Sequence, residues 1–220
     1  MRLLATLFVG LATALPAEHL VAPAPAPGDV KIIDITAIGS GCPAGHAFVN
    51  LDATGTVFDV AFDQYIVSVG PGTSPSDSRK NCRISINLQF PSGYQFSIIE
   101  TRFQGYASLA SGQTGTCRAS YTFSGDNSQA SQSTPPPPQK KNLPEVIFEK
   151  NVVSPFDDNY NLLAGVGVES FSPCGKSTAI LNVNSEVRIT PISSPQGGIM
   201  TVDSFDGSVH IVFSTSWRRC

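Results

Sequence analysis

The sequence predicts an all-β protein, specifically an antiparallel, jelly-roll-like β-sandwich that is stapled by disulfides. Charged residues make up only 14% of the 220 residues, against about 25% in ordinary soluble proteins. Glycine (19) and proline (17) are abundant, which favours strands joined by tight turns over long helices. Apolar residues recur at every second position in about ten short segments, the pattern expected for two packed sheets.

The first residues have the layout of a secretory signal peptide. A basic Arg2 precedes an apolar run, Leu3–Ala14, which is followed by the small residue Ala17. The run is too short to span a bilayer, although a buried first strand or helix is an alternative. We therefore expect residues 1–17 to be a signal peptide, residues 18–29 to be a flexible Ala/Pro-rich segment, and the mature protein to be extracellular.

The strand-like segments begin at Val30–Ile38, which ends in a turn at Gly39–Pro43, and continue with Thr56–Phe62. A loop is predicted over Gly70–Asn81. The clearest strand is Cys82–Phe90, where apolar and polar residues alternate strictly. The alternation continues from Tyr94, then shifts by one residue, which predicts a β-bulge near Ile98.

Residues 125–144 are polar and include four consecutive prolines, which cannot occupy the interior of a sheet. We interpret this segment as an exposed loop within a single domain, residues 30–220; a linker between two domains is the alternative. Further strands are predicted at Glu145–Val153, Tyr160–Phe171 and Thr178–Ile189. The dipeptide Asp206-Gly207 between two alternating runs predicts a closing β-hairpin.

All five cysteines follow the signal-like segment, at positions 42, 82, 117, 174 and 220. An oxidising compartment allows them to pair and leaves one unpaired, but the residues alone leave every pairing open. None has the C-x-x-C spacing of a zinc site, and no cofactor or metal is expected. Asp157–Asn159 and Asp203–Gly207 are acidic but lack the ligand spacing of a calcium loop.

Several motifs resemble fungal secreted proteins known as domain of unknown function 4360, over about Ile35 to Cys220. The motifs are Gly39-Ser40-Gly41-Cys42-Pro43, Arg79-Lys80-Asn81-Cys82, Gly93-Tyr94-Gln95-Phe96, Arg102 with Gly105-Tyr106-Ala107, Ser172-Pro173-Cys174-Gly175 and Trp217-Arg218-Arg219-Cys220. The stretch between Asn127 and Val153 departs from the family's pattern. The resemblance implies a fungal secreted protein, and it implies no activity.

The same resemblance implies disulfides Cys42–Cys82 and Cys174–Cys220, each worth roughly 4 kcal/mol in the chain-entropy model. It leaves Cys117 as the free thiol. Cys117 also shares its position in the alternation with Ala119, Tyr121 and Phe123, which predicts a buried side chain.

Two polar ladders are the candidate binding face. Arg83, Ser85, Asn87 and Gln89 alternate with core residues in one strand, and Asn182, Asn184, Glu186 and Arg188 do so in another. If the two strands are neighbours, the ladders form one amide-rich surface that suits sugar hydroxyls. An ordinary solvated face is the alternative.

The leading hypothesis is a non-enzymatic extracellular protein that binds cell-wall polysaccharide or a host surface protein, and we expect a monomer. No basic stripe suggests nucleic acid, and nothing after the signal-like segment resembles a membrane span. A secreted hydrolase is the first alternative. It would use Gln89 with Glu186, as in glutamic peptidases, or a glycosidase-like carboxylate pair among Asp59, Asp63, Glu100, Glu169 and Glu186. A structural secreted protein without a specific ligand is the second alternative.

Overall fold

Two antiparallel β-sheets pack face to face in the computed structural model, which describes residues 29–124, 145–165, 170–202 and 210–220. The predicted all-β sandwich is confirmed. The signal-like segment, the Ala/Pro-rich segment before Asp29, the 125–144 loop, Glu169 and the Asp206-Gly207 turn lie outside the described residues.

The described residues form twelve strands, with a 3₁₀ turn at Pro75–Ser78. The strands are β1 (Lys31–Ile38), β2 (Ala47–Leu51), β3 (Val57–Phe62), β4 (Ile66–Val69), β5 (Arg79–Gln89), β6 (Tyr94–Leu109), β7 (Thr114–Ser124), β8 (Val146–Val153), β9 (Phe156–Gly165), β10 (Thr178–Thr190), β11 (Gly198–Thr201) and β12 (His210–Arg219).

The five-stranded sheet has the order β1-β5-β10-β7-β8, and the seven-stranded sheet has the order β2-β3-β12-β6-β11-β4 with β9 also on β6. Within the sheets, few strands that are consecutive in the chain pair with each other. Most connections instead cross from one sheet to the other, as in jelly rolls. The central strands β5 and β10 therefore come from segments about a hundred residues apart.

Alternation places one side of every long strand in the core. In β5, for example, Ile84, Ile86 and Leu88 are buried while the residues between them face outward. The sheets meet through contacts such as Phe96 on β6 against Phe123 on β7, whose ring centroids lie 5.0 Å apart. Each fully buried side chain of this size contributes about 1.5–3 kcal/mol through the hydrophobic effect.

The bulge predicted near Ile98 is confirmed. Ser214 on β12 pairs with Glu100, but the next residue, Thr215, pairs with Ile98, so that Ile99 is the extra residue of β6. From this point the buried positions of β6 change from even to odd numbers, beginning with Thr101 and Phe103.

The predicted closing hairpin does not include the described parts of its two strands. β11 and β12 do not pair with each other in the described residues; both pair with β6. Met200 lies opposite Ala107 and Ile211 lies opposite Phe103, so the two strands follow one another along a single edge of β6 in the same direction. The alternation of these segments indicated two strands correctly, but it carries no information about which edge each strand occupies.

The strands β2 and β4 were not predicted. β2 reads Ala-Phe-Val-Asn-Leu, and Phe48, which is 53% exposed, places an apolar residue on its outer side and so obscures the alternation. β4 has only four residues, too few for a period of two to stand out.

Candidate functional site

The two predicted ladders lie on neighbouring strands. β5 and β10 are the second and third strands of the five-stranded sheet, and Asn182 lies opposite Ser85 while Asn184 lies opposite Arg83. Because both strands direct alternate residues outward, the ladders form one surface. We call it the polar ladder face; it comprises Arg83, Ser85, Asn87, Gln89, Asn182, Asn184, Glu186 and Arg188.

Hydrogen bonds between strands hold the middle of this face. Ser85 Oγ donates to Asn182 Oδ1 at 2.8 Å, and Asn182 Nδ2 donates to Ser124 Oγ on β7 at 2.7 Å. Arg83 Nε donates to Asn184 Oδ1 at 3.2 Å. Asn182 thus connects three strands, and the amide orientations are set before any ligand arrives.

The ladder continues at one end through Asn87 and Gln89. Asn87 lies opposite Ile180, and Gln89 lies opposite Thr178. Ile180 is 37% exposed and is the apolar residue of β10 on this face. At this end the surface therefore offers amides beside a small aliphatic patch.

Glu186 is the charged centre of the other end. Its carboxylate accepts hydrogen bonds from Arg79 and, at 3.4 Å, from Arg188, and only 14% of its side chain is exposed. On its other side Glu186 lies opposite Arg118 of β7 in the strand register. The two arginines that contact Glu186 compensate its charge.

A shallow depression of about 250 Å³ lies beside Glu186. Ser120 is only 5% exposed although its position in β7 faces outward, because the longer side chains around it rise above the sheet. The residues that line the depression include Arg79, Asn81, Arg83, Arg118, Ser120, Glu145, Asn184 and Glu186.

Sequence reasoning missed the contributions of Arg118 and Ser120. Their signal was present, because both occupy the outward positions between Cys117, Ala119 and Tyr121. The sequence did not show that β7 pairs with the other edge of β10, opposite to β5. Arg79 and Asn81 extend the β5 alternation toward the Pro75–Ser78 turn and could have been included.

The Gln89 and Glu186 pair of the hydrolase alternative does not converge. Gln89 lies opposite Thr178, eight residues from Glu186 along β10, which corresponds to about 27 Å. Two groups that share one attacking water must lie far closer than that.

The other candidate carboxylates occupy different positions. Asp63 contacts His46 Nδ1 at 2.8 Å, and Glu100 lies 3.8 Å from Arg102. Asp59 and Glu100 face outward on β3 and β6, with β12 between them. Glu186 faces outward on the opposite sheet, so it does not share a site with Asp59 or Glu100.

The acidic side chains of the Asp157–Asn159 segment accept hydrogen bonds from neighbouring groups of the protein. Tyr106 donates to Asp157, and this hydrogen bond raises the pKa of the tyrosine. Asp158 Oδ1 accepts from the backbone N–H of Asn159 at 2.7 Å. Throughout the described ranges, no three His, Cys, Asp or Glu side chains cluster as a metal site.

The structure contains the disulfides Cys42–Cys82 and Cys174–Cys220, with Cα–Cα distances of 5.4 and 5.7 Å, the same pairs that the resemblance implies. Cys117 is a free, buried thiol. Its Sγ lies 3.6 Å from the hydroxyl of Tyr160, and burial raises the pKa of the thiol from 9.0 to about 12.

A family model described as domain of unknown function DUF4360 matches residues 28–220. An uncharacterized secreted protein of Arthroderma benhamiae is 36% identical over 208 residues, which cover 94% of this chain and 78% of that protein. Together with the two disulfides, this relative confirms the expected extracellular location.

Among solved structures, the chain is similar to TmCBM61 in complex with β-1,4-galactotriose, at 9% identity. The TM-score is 0.31, and the match covers 86% of this chain and 91% of that chain. In the residues that the structure describes, no helix is long and apolar enough to cross a membrane.

Proposed function

We propose that this secreted protein, which belongs to the DUF4360 family as its sequence motifs predicted, is a non-enzymatic protein that binds polysaccharide on the polar ladder face. The observation that carries the proposal is the pairing of β5 with β10, which brings both predicted ladders onto one surface.

The chemistry of the face supports a sugar ligand. Asparagine and glutamine each offer a planar acceptor and two donors, which match the mixed donor and acceptor character of sugar hydroxyls. Because β5 and β10 are inner strands, with partners on both edges, the amides are held on a rigid support. A preorganised face loses less conformational entropy when it binds.

The same face is poorly suited to a protein partner. Protein interfaces usually centre on buried aromatic or aliphatic residues surrounded by a polar rim. Here the exposed large apolar residues on the outer side of the sheet stand singly on different strands: Ile38 on β1, Ile180 on β10, and Ile147 and Val153 at the two ends of β8. Polysaccharide is therefore the better match.

A hydrolase has less support than a binding protein. The separation of about 27 Å between Gln89 and Glu186 leaves that pair without a common substrate atom. The carboxylate oxygens of Glu186 are moreover already engaged by Arg79 and Arg188.

The test is binding of the mature protein to a panel of neutral and acidic polysaccharides, measured by affinity electrophoresis and titration calorimetry. The double variant Asn87→Ala/Gln89→Ala removes one half-buried and one exposed amide of the face. We expect about tenfold weaker binding, because two hydrogen bonds of about 0.5–1.5 kcal/mol each are lost.

The matched control is Gln104→Ala/Asn161→Ala, which removes two amides from neighbouring positions on the outer face of the other sheet. Its affinity should stay within twofold of the parent protein. Binding to no polysaccharide of the panel, or equal losses in the two double variants, would contradict the proposal.

A further inference from the structure

We infer that the polysaccharide bound by the polar ladder face carries carboxylate groups, as uronic-acid sugars do, and that Arg83 and Arg118 hold one carboxylate above Asn184. This inference rests on the proposed function and adds the class of ligand. The observations that carry it lie at the end of the face that surrounds Glu186, which we call the arginine end.

The arginine end concentrates positive charge. It contains four of the seven arginines in the described part of the chain: Arg79, Arg83, Arg118 and Arg188. The nearby carboxylates are Glu186 on β10 and Glu145 and Glu149 at the β8 side. Four positive charges face three negative ones, which leaves a net positive charge on a protein whose formal charge is −3.

The four arginines differ in what they already contact. Arg79 and Arg188 bind Glu186 and compensate its charge. Arg83 donates through Nε to Asn184, and within the described residues its two terminal nitrogens make no hydrogen bond or ion pair. Arg118 has no ion pair within 4.0 Å to any acidic side chain of the described ranges.

Arg83 and Arg118 can act on the same group. They lie on β5 and β7, the two neighbours of β10, which are about 10 Å apart at the usual strand spacing. Both line the 250 Å³ depression, together with Asn81 and Asn184. A carboxylate in this depression would meet two guanidinium groups and two side-chain amides.

A carboxylate suits this arrangement for a geometric reason. The planar guanidinium presents two parallel N–H groups that match the two oxygens of a carboxylate. The orientation of Arg83 is fixed by its bond to Asn184, which reduces the entropy lost on binding. The amides of Asn87 and Gln89 continue along the face and can bind the hydroxyls of adjoining sugars.

The experiment compares one polymer in two charge states. The mature protein is titrated with polygalacturonate and with the same polymer after methyl esterification, which removes the charge and keeps the backbone. We expect at least tenfold weaker binding to the esterified polymer. We also expect the affinity for polygalacturonate to fall as the salt concentration rises from 50 to 500 mM, because dissolved ions screen contacts between exposed charges.

Three double variants assign the effect to the arginine end. Arg83→Gln/Arg118→Gln should weaken polygalacturonate binding at least tenfold. Arg83→Lys/Arg118→Lys keeps the positive charge and removes the two parallel N–H groups of each guanidinium, so it should give an intermediate loss of affinity. Arg102→Gln/Lys176→Gln removes the same charge elsewhere and should stay within twofold. Melting temperatures verify that each variant is folded.

The results separate the two proposals. Equal binding to both polymers, or no effect of Arg83→Gln/Arg118→Gln, would overturn the carboxylate inference while leaving polysaccharide binding intact. Two further results would overturn the inference in favour of general attraction of anions. One is an equal loss of affinity in the control variant. The other is that dextran sulfate binds as tightly as polygalacturonate and binds equally well to Arg83→Lys/Arg118→Lys. Binding to no polysaccharide at all would overturn the proposed function and this inference together.

Discussion

The hydroxyl of Tyr121 donates to the main-chain carbonyl of Ile98 at 2.7 Å, across the interior of the sandwich. Ile98 stands immediately before the extra residue of the β6 bulge. A bulge disrupts the regular ladder and leaves backbone groups to find other partners. Tyr121, from the opposite sheet, supplies one, and also lies 3.1 Å from the hydroxyl of Ser97.

Replacing Tyr121 with Phe should therefore destabilise the protein by about 1–3 kcal/mol, because the buried Ile98 carbonyl loses its shorter side-chain hydrogen bond and retains the 3.4 Å contact from Ser97 Oγ. The measurement is urea unfolding followed by the fluorescence of Trp217. Tyr94→Phe is the matched control, since Tyr94 is only partly buried, and it should change the free energy of unfolding by less than about 0.5 kcal/mol. Equal effects of the two substitutions would refute the role of the Tyr121 hydroxyl.

Gly105 on β6 should tolerate no side chain. A Cβ at this position would collide with the carbonyl oxygen of Thr201 and come within 2.6 Å of the Tyr160 hydroxyl. These two atoms also share a 2.6 Å hydrogen bond, so neither can move freely. We expect Gly105→Ala to lower the free energy of unfolding by about 3 kcal/mol or more.

The control for this substitution is Gly165→Ala on β9, where a Cβ would meet no atom within 4 Å. Its free energy of unfolding should stay close to that of the parent protein. Thermal and urea unfolding of both variants give the comparison, and a stable Gly105→Ala protein would show that β6 and β11 can separate.

Cys117 should be a single thiol that reacts only after unfolding. Burial raises its pKa to about 12, so the reactive thiolate is scarce at neutral pH. Ellman's reagent should detect no thiol in the native protein and one in denaturant. Detection of a disulfide that joins Cys117 to another cysteine would contradict this expectation.

The same raised pKa makes stability depend on pH in the alkaline range. The folded protein holds the Cys117 proton more tightly than the unfolded chain, whose thiol keeps its ordinary value of 9.0. The contribution is therefore complete below pH 9 and is lost as the pH rises from 9 toward 12. Cys117→Ala should lose less stability than the parent protein over this range, measured by urea unfolding at each pH.

Glu186→Gln should strengthen the binding of a carboxylated polysaccharide. The substitution removes the negative charge from the arginine end and releases Arg79 and Arg188. We expect a threefold to tenfold gain in affinity for polygalacturonate at low salt, on the order of 1 kcal/mol. Stability should change little, because the two arginines are substantially exposed and remain hydrated. Weaker binding would mean that Glu186 itself contacts the ligand.

Alternation was sufficient to predict the long strands and the inward or outward direction of their residues. Ile84, Ile86 and Leu88 are buried as the period of two predicts, and the shift at Ile98 revealed a bulge. The order of strands was not predictable in this way, because the alternation of apolar and polar residues within a strand does not depend on which strands it pairs with. For that reason the alternation did not reveal that β11 and β12 follow one edge of β6.

Each of the two ladders of the candidate site could be predicted from the sequence, but not their position next to each other. The two ladders each followed from one strand, but their union depends on the pairing of β5 with β10. Arg118 belongs to the depression only because β7 borders β10 on the other side. A site that is assembled from three strands cannot be completed from patterns that each describe one strand.

Because β5, β7 and β10 are separate segments of the chain, the polar ladder face and the depression beside Glu186 form together only when residues 79–89, 114–124 and 178–190 have paired. Closing such long loops before any contact is gained slows folding, so this protein should fold slowly for its size. The first half of the chain presents β5 and β7 but not the strand that joins them. Ligand affinity in this protein is thus a property of the completed chain, and recovery of binding during refolding reports the last pairing event.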